Sequence, residues 1–134
     1  MRYMLLVYSD ESSTLSPEQA QEVRNGHSAA IAEATRRGFL RGAEPLFPTS
    51  TATTVRLREG KPILTDGPFA ETKEQLAGYY ILECANLDEA IEIAGRIPTE
   101  CGGGTGSIEI RPIRGLSERD AGDPGVRVIE RHDS

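Results

Sequence analysis

Asp66-Gly67-Pro68-Phe69-Ala70-Glu71-Thr72-Lys73-Glu74-Gln75-Leu76 joins two apolar runs, Pro62-Ile63-Leu64 before it and Tyr79-Tyr80-Ile81-Leu82-Glu83-Cys84 after it. This stretch decides the fold, because it marks where the chain leaves a hairpin and enters a central strand. Asp bonds its own backbone at a turn, Gly supplies permissive dihedrals, and Pro holds φ. Phe69 is expected to plug this corner into the core. Thr72 and Gln75 have capping-box spacing, so a single helical turn is expected before a strand from Ala77. Asp66 thereby becomes a carboxylate on a stiff corner.

Upstream of the corner, Thr53-Val55-Leu57 alternates with Thr54-Arg56-Arg58, which reads as a strand buried on one face. Glu59-Gly60 turns it back on Pro62-Ile63-Leu64 as a hairpin. Further back, a strand is expected over Phe39 to Leu46. Before that strand, Ser16, Pro17 and Gln19 give a helix start of capping-box type, Ala20, Val23, Ala30, Ile31 and Ala34 keep helical spacing, and Gly38 closes the helix. Tyr3 to Tyr8 reads as a buried first strand. Downstream of the corner, Tyr79 to Cys84 is a central strand. Asn86 or Asp88 caps a second helix with the stripe Leu87, Ala90, Ile91, Ala94 and Ile97, stopped by Pro98. A glycine loop, Gly102 to Gly106, leads into an alternating strand, Ser107 to Arg111. Residues 115–134 read as a C-terminal tail, flexible or docked on the partner subunit, in which Val126 to Ile129 could form a short docking strand.

Strand, helix, strand, hairpin, strand, helix, strand is an α+β order: two βαβ halves with an inserted β-hairpin, the helices on one face of a mostly antiparallel sheet. The other face of the sheet is partly apolar, which calls for a homodimer through that face. The chain has 134 residues, 37% of them hydrophobic, and one small domain is expected. A net charge of -6 and a pI near 5.0 argue against a nucleic-acid partner and against an anionic membrane surface. The apolar start of the chain runs straight into Ser9-Asp10-Glu11 and is no signal peptide, so a cytoplasmic protein is expected.

Two residues stand out as chemistry. His27 falls four after Val23 and four before Ile31, on the apolar face of the first helix, beside Gly26. A histidine pointing inward needs a hydrogen-bond partner. Glu44 and Asp66, both at or near strand ends, are the carboxylates best placed to meet it. Tyr79 and Tyr80 point to opposite faces, one into the core and one toward a cavity or a dimer face. Arg41, Arg56 and Arg111 offer a region for an anionic ligand. Two histidines far apart, and Cys84 and Cys101 without ligand spacing, give no metal site and no disulfide framework. The glycine loop lacks a phosphate-loop ending, and no cofactor is expected.

The run from Asp66 to Leu76 strongly resembles the signature of the DGPF-domain proteins, within the larger YCII-related group. Tyr3 to Tyr8, Thr51 to Arg56, Leu87 to Ala90 and Ile108 to Ile113 resemble further segments of that family, so the likeness covers residues 1–114. The resemblance implies a ferredoxin-like, dimeric α+β barrel. It also implies a pocket with a His-Asp pair as a proposed active site, with His27 matching the first-helix histidine and Asp66 the signature aspartate. Family members are often encoded beside extracytoplasmic-function sigma factors, which implies a regulatory alternative.

Three functions follow. A small cofactor-independent enzyme would use His27 for proton transfer on a small polar substrate, oriented by Asp66 or Glu44. A ligand-binding or regulatory module would use the same pocket to hold a small molecule. A cofactor-free oxygenase is the third, on fold analogy alone. The enzyme requires His27 within hydrogen-bond reach of a carboxylate in an open cleft. The binding module requires a closed apolar cavity, or a His27 packed without such a partner.

Overall fold

A computed structural model describes residues 1–99 and 106–115. Its elements are β1 (Arg2–Ser9), α1 (Pro17–Arg36), β2 (Leu40–Pro45), a short 3-10 turn (Thr49–Thr51), β3 (Thr53–Arg58), β4 (Lys61–Asp66), β5 (Gln75–Glu83), α2 (Leu87–Ala94) and β6 (Gly106–Ile113). Cys101, most of the glycine loop and the short strand expected at Val126 to Ile129 lie outside the described residues. No described helix is long and apolar enough to cross a membrane.

Four strands pair antiparallel in the order β2-β5-β1-β6, while β3 and β4 form a separate two-stranded sheet. Set the hairpin aside and the main sheet runs second, third, first, fourth, the ferredoxin-like α+β order. Alternation makes its two faces different. Tyr3, Leu5 and Val7 of β1, with Tyr80 and Leu82 of β5, are buried on one face against Ala30 and Ala34 of α1 and Ala90 and Ile93 of α2. Met4, Leu6, Tyr79 and Ile81 occupy the opposite, helix-free face and are only half-buried.

The helices begin where their caps say. Ser16 Oγ accepts the Gln19 amide and Gln19 Oε1 accepts the Ser16 amide, a complete capping box. Asn86 Oδ1 accepts the Glu89 amide at the start of α2. α2 is shorter than its apolar stripe, ending at Ala94, with Ile97 reaching the core from the turns that follow. Arg37, at the end of α1, ties the helices together: it pairs with Glu92 and lies over the Phe39 ring.

The corner after β4 departs from expectation. Phe69 is 77% exposed and enters no core. Gly67 takes φ 99° and turns Pro68 and Phe69 under the hairpin, where Arg56 donates to the Phe69 carbonyl at 3.2 Å. The anchor is thus backbone to Arg56, and the ring stays in solvent. No helical turn forms at Thr72 either. Its hydroxyl bonds the Glu74 carbonyl, Gln75 bonds the Thr72 carbonyl, and β5 starts at once with Gln75. A side chain that satisfies a nearby carbonyl removes the advantage of a helical turn.

The hairpin is held at its root. Glu11 accepts from the Thr49 amide and hydroxyl, and Gln75 accepts the Glu11 amide. Beyond the root it stands free of the main sheet, its tip turning through Glu59 and Gly60, both at positive φ. The strand register gives it two unlike faces. Val55, Leu57, Pro62 and Leu64 share one face, with Thr53 and Asp66 at its root. Arg56, Arg58, Lys61 and Ile63 share the other.

Candidate functional site

A cleft of about 340 Å3 opens between α1 and the β2-β5 edge, lined by His27, Arg24 and Ile31 from α1, Val7 from β1, and Ala43, Pro45, Ala77, Gly78 and Tyr80 from the sheet. That volume is at the low end for ligand pockets, roughly 300–1,000 Å3. Three features make the space. α1 carries His27 one turn before the fully buried Ala30, on the face that meets the sheet. Gly78 contributes no side chain to the floor. Beside it β5 carries an extra residue, since Val7 pairs with Gly78 and Tyr8 with Leu76, leaving Ala77 as a bulge.

His27 Nδ1 lies 2.7 Å from the Tyr80 hydroxyl, with the two rings close to parallel at 21°. Tyr80 is 3% exposed, and burial pushes its phenol up to about 12. Burial also lowers the His27 pKa from its ordinary value of 6.5. Both groups are therefore neutral at pH 7. A buried phenol proton needs an acceptor, and among the described residues His27 is the partner of this one. The arrangement that satisfies both has Tyr80 donating to Nδ1, with the imidazole proton on Nε2.

The expected carboxylates are elsewhere. Glu44 belongs to the cleft rim, but it pairs with Tyr79 in the register, and Tyr79 faces away from Tyr80. Alternation thus turns the Glu44 side chain to the helix-free face, away from His27. Asp66 ends β4, is exposed on the separate hairpin, and does not line the cleft. Among the described residues no carboxylate bonds or pairs with His27. The three arginines do not converge: Arg41 pairs with Glu83 on one edge of the sheet, Arg111 lies beside Glu109 on the other, and Arg56 is on the hairpin. Cys84 is buried, and that burial pushes its thiol up and disfavours the thiolate. Among the described residues no group of three metal-ligating side chains converges.

Sequence reasoning missed the Tyr80–His27 pair, Gly78 and Arg24. Two signals were present: Tyr80 is one of two tyrosines whose alternation sends it to the helix side, and Arg24 stands three residues before His27 on the same helix.

The lowered His27 pKa has a sign for stability. The unfolded chain takes this proton at a higher pH than the folded chain, so stability is complete above about 6.5 and falls as pH drops toward the lower folded value. Urea unfolding at about pH 7.5 and about pH 5.5 is expected to show that loss in the native chain and a smaller one in His27→Gln. Gln keeps an acceptor for Tyr80 and removes the titration. Equal losses in both proteins would place the titration elsewhere.

The YCII-related domain model matches residues 1–117 of the chain. An uncharacterised protein of Rhizobium meliloti (strain 1021) is 44% identical over 115 residues, which span 84% of this chain and 92% of that protein. The matched region runs from β1 through β6 and so contains every element that builds the cleft. On both counts the chain belongs to the family of YCII-related domain proteins.

Proposed function

We propose that this domain is a small-molecule-binding module whose ligand sits in the α1–β5 cleft and accepts a hydrogen bond from His27 Nε2–H. One observation carries the reading: among the described residues the partner of His27 is the Tyr80 hydroxyl and not a carboxylate. A general base in a His-carboxylate pair holds its proton on the nitrogen facing the acid and keeps the other nitrogen free to accept. Here the phenol occupies Nδ1 and the free nitrogen is a donor. Burial also disfavours the imidazolium that proton abstraction would create. A ligand held this way is bound and oriented without being consumed.

Imidazole 1H–15N correlation spectra test it. The Nε2–H tautomer is expected in the native protein, with a pKa below 6.5, and mixed tautomers in Tyr80→Phe. An Nδ1–H tautomer with a pKa above 6.5 would reveal an acidic partner and restore the enzyme reading. Thermal-shift screening of a metabolite collection gives the second arm. Hits lost in Tyr80→Phe, and recovered unchanged after long incubation, support binding; conversion of a hit to product sinks it.

We further propose that the domain works as a homodimer through the helix-free face of its sheet. Met4, Leu6, Tyr79 and Ile81 on that face, and Val55, Leu57 and Leu64 on the hairpin, form two apolar surfaces that the described residues of one chain leave uncovered. A lone two-stranded hairpin is marginal in water. A second copy supplies cover for both surfaces at once.

A further inference from the structure

Resting on the cleft as a binding site, we infer that its ligand is a small organic acid: a carboxylate on an apolar body, with the carboxylate lying between His27 Nε2 and the Arg24 guanidinium. The polar groups turned to the cleft are donors. His27 presents Nε2–H once Tyr80 occupies Nδ1. Arg24 stands one helical turn away at the rim; among the described residues its side chain is bonded only to the neutral Gln21 amide oxygen, 2.9 Å away, and no carboxylate neutralises it. Ser28, next to His27 on the same helix, also lines the cleft and adds a hydroxyl.

The acceptor side of the balance is thin. Glu44, the one acidic residue at the rim among the described residues, is turned to the other face by its pairing with Tyr79. The rest of the wall is largely apolar, with Val7, Ile31, Ala43, Pro45 and Ala77 in it, which asks for a hydrocarbon body. In a chain of net charge -6, a cleft whose cation is unneutralised and which has no inward carboxylate among the described residues is selective by charge. A neutral amide of the same shape brings two N–H donors to groups that are already donors. It loses the charge-assisted bond as well, so the acid is favoured by roughly tenfold or more.

The test pairs isovalerate with isovaleramide and benzoate with benzamide, followed by backbone and imidazole NMR shifts on the full chain. Expected are shifts at His27, Ala77 and Gly78, with each acid at least about tenfold tighter than its amide. Arg24→Gln should erase that preference and Arg24→Lys restore part of it. Arg58→Gln, which removes the same charge from the hairpin, should leave the preference intact. Acid and amide binding equally well, still with cleft shifts, would overturn the carboxylate class and leave the binding reading standing. No cleft shift with any of the four compounds would overturn the inference, while the metabolite screen decides the binding reading on its own.

Discussion

Gly78→Val is expected to lower the melting temperature by on the order of 10 °C and to abolish ligand binding in the cleft. Gly78 is in the middle of β5, paired with Val7 on one side and Pro45 on the other. A Cβ at this position would stand 2.8 Å from the Glu44 carbonyl oxygen and 3.2 Å from the Pro45 Cα. Both atoms are backbone, so no rotamer change relieves the clash. The edge strand β2 has to move away from β5, and overpacking of this kind costs about 1–3 kcal/mol. The isopropyl group also fills the floor between His27 and Ala43. Gly42→Ala is the matched control. It lies on the same edge strand, but its Cβ would meet Ile81 at 3.8 Å, an ordinary contact, and it faces away from the cleft. Melting curves and ligand titrations of the two variants should therefore diverge. A Gly78→Val protein that melts and binds like the native chain would mean that the cleft floor is not where the register puts it.

The same residue shows what the sequence could and could not say. The elements were legible because they rest on local signals: Ser16 with Gln19, a cap at Asn86 or Asp88, the short continuous apolar run of β1, and the period-two alternation of β3 and β6. The α+β order, with helices on one face of a mostly antiparallel sheet, followed from those elements, and the ferredoxin-like arrangement was what the resemblance to the family implied. The cleft was half legible. His27 is on the apolar face of α1, as its spacing requires. Its partner depended on which face of β2 and β5 meets that helix, and a one-residue change in register reverses that answer. The bulge at Ala77 and the irregularity between Leu40 and Gly42 are such changes, and nothing in composition announces them. Glu44 was therefore assigned to the cleft by its position near a strand end, while register gave its side chain to the opposite face. Phe69 misled for a related reason. Hydrophobicity says that a ring prefers burial, but the corner that carries it is attached to a hairpin with no core beneath it.

That hairpin leads to the other large effect, on assembly. Ile81→Asp and Leu64→Asp are each expected to convert a homodimer into a folded monomer, weakening association by at least about a hundredfold. Ile81 is on the helix-free face, paired with Met4 across β1 and flanked by Tyr79 on its own strand. Leu64 pairs with Val55 on the hairpin and is 67% exposed in the single chain. Burying a side chain of this size contributes about 1.5–3 kcal/mol, and an aspartate there leaves a desolvated charge in its place. Neither substitution removes a contact from the core that α1 and α2 make with the sheet, so circular dichroism should report a native fold. Ile63→Asp completes the set. Ile63 shares the cationic hairpin face with Arg56 and Arg58, outside the proposed contact, and should leave the dimer unchanged. Sedimentation velocity reads all three. A native chain that sediments as a monomer would overturn the homodimer outright. Dissociation by Ile81→Asp alone would confine the contact to the sheet, leaving Asp66, at the root of the hairpin's apolar face, in solvent. Dissociation by both would bring that face, and Asp66 with it, to the dimer seam, giving the signature aspartate a place in assembly rather than beside His27.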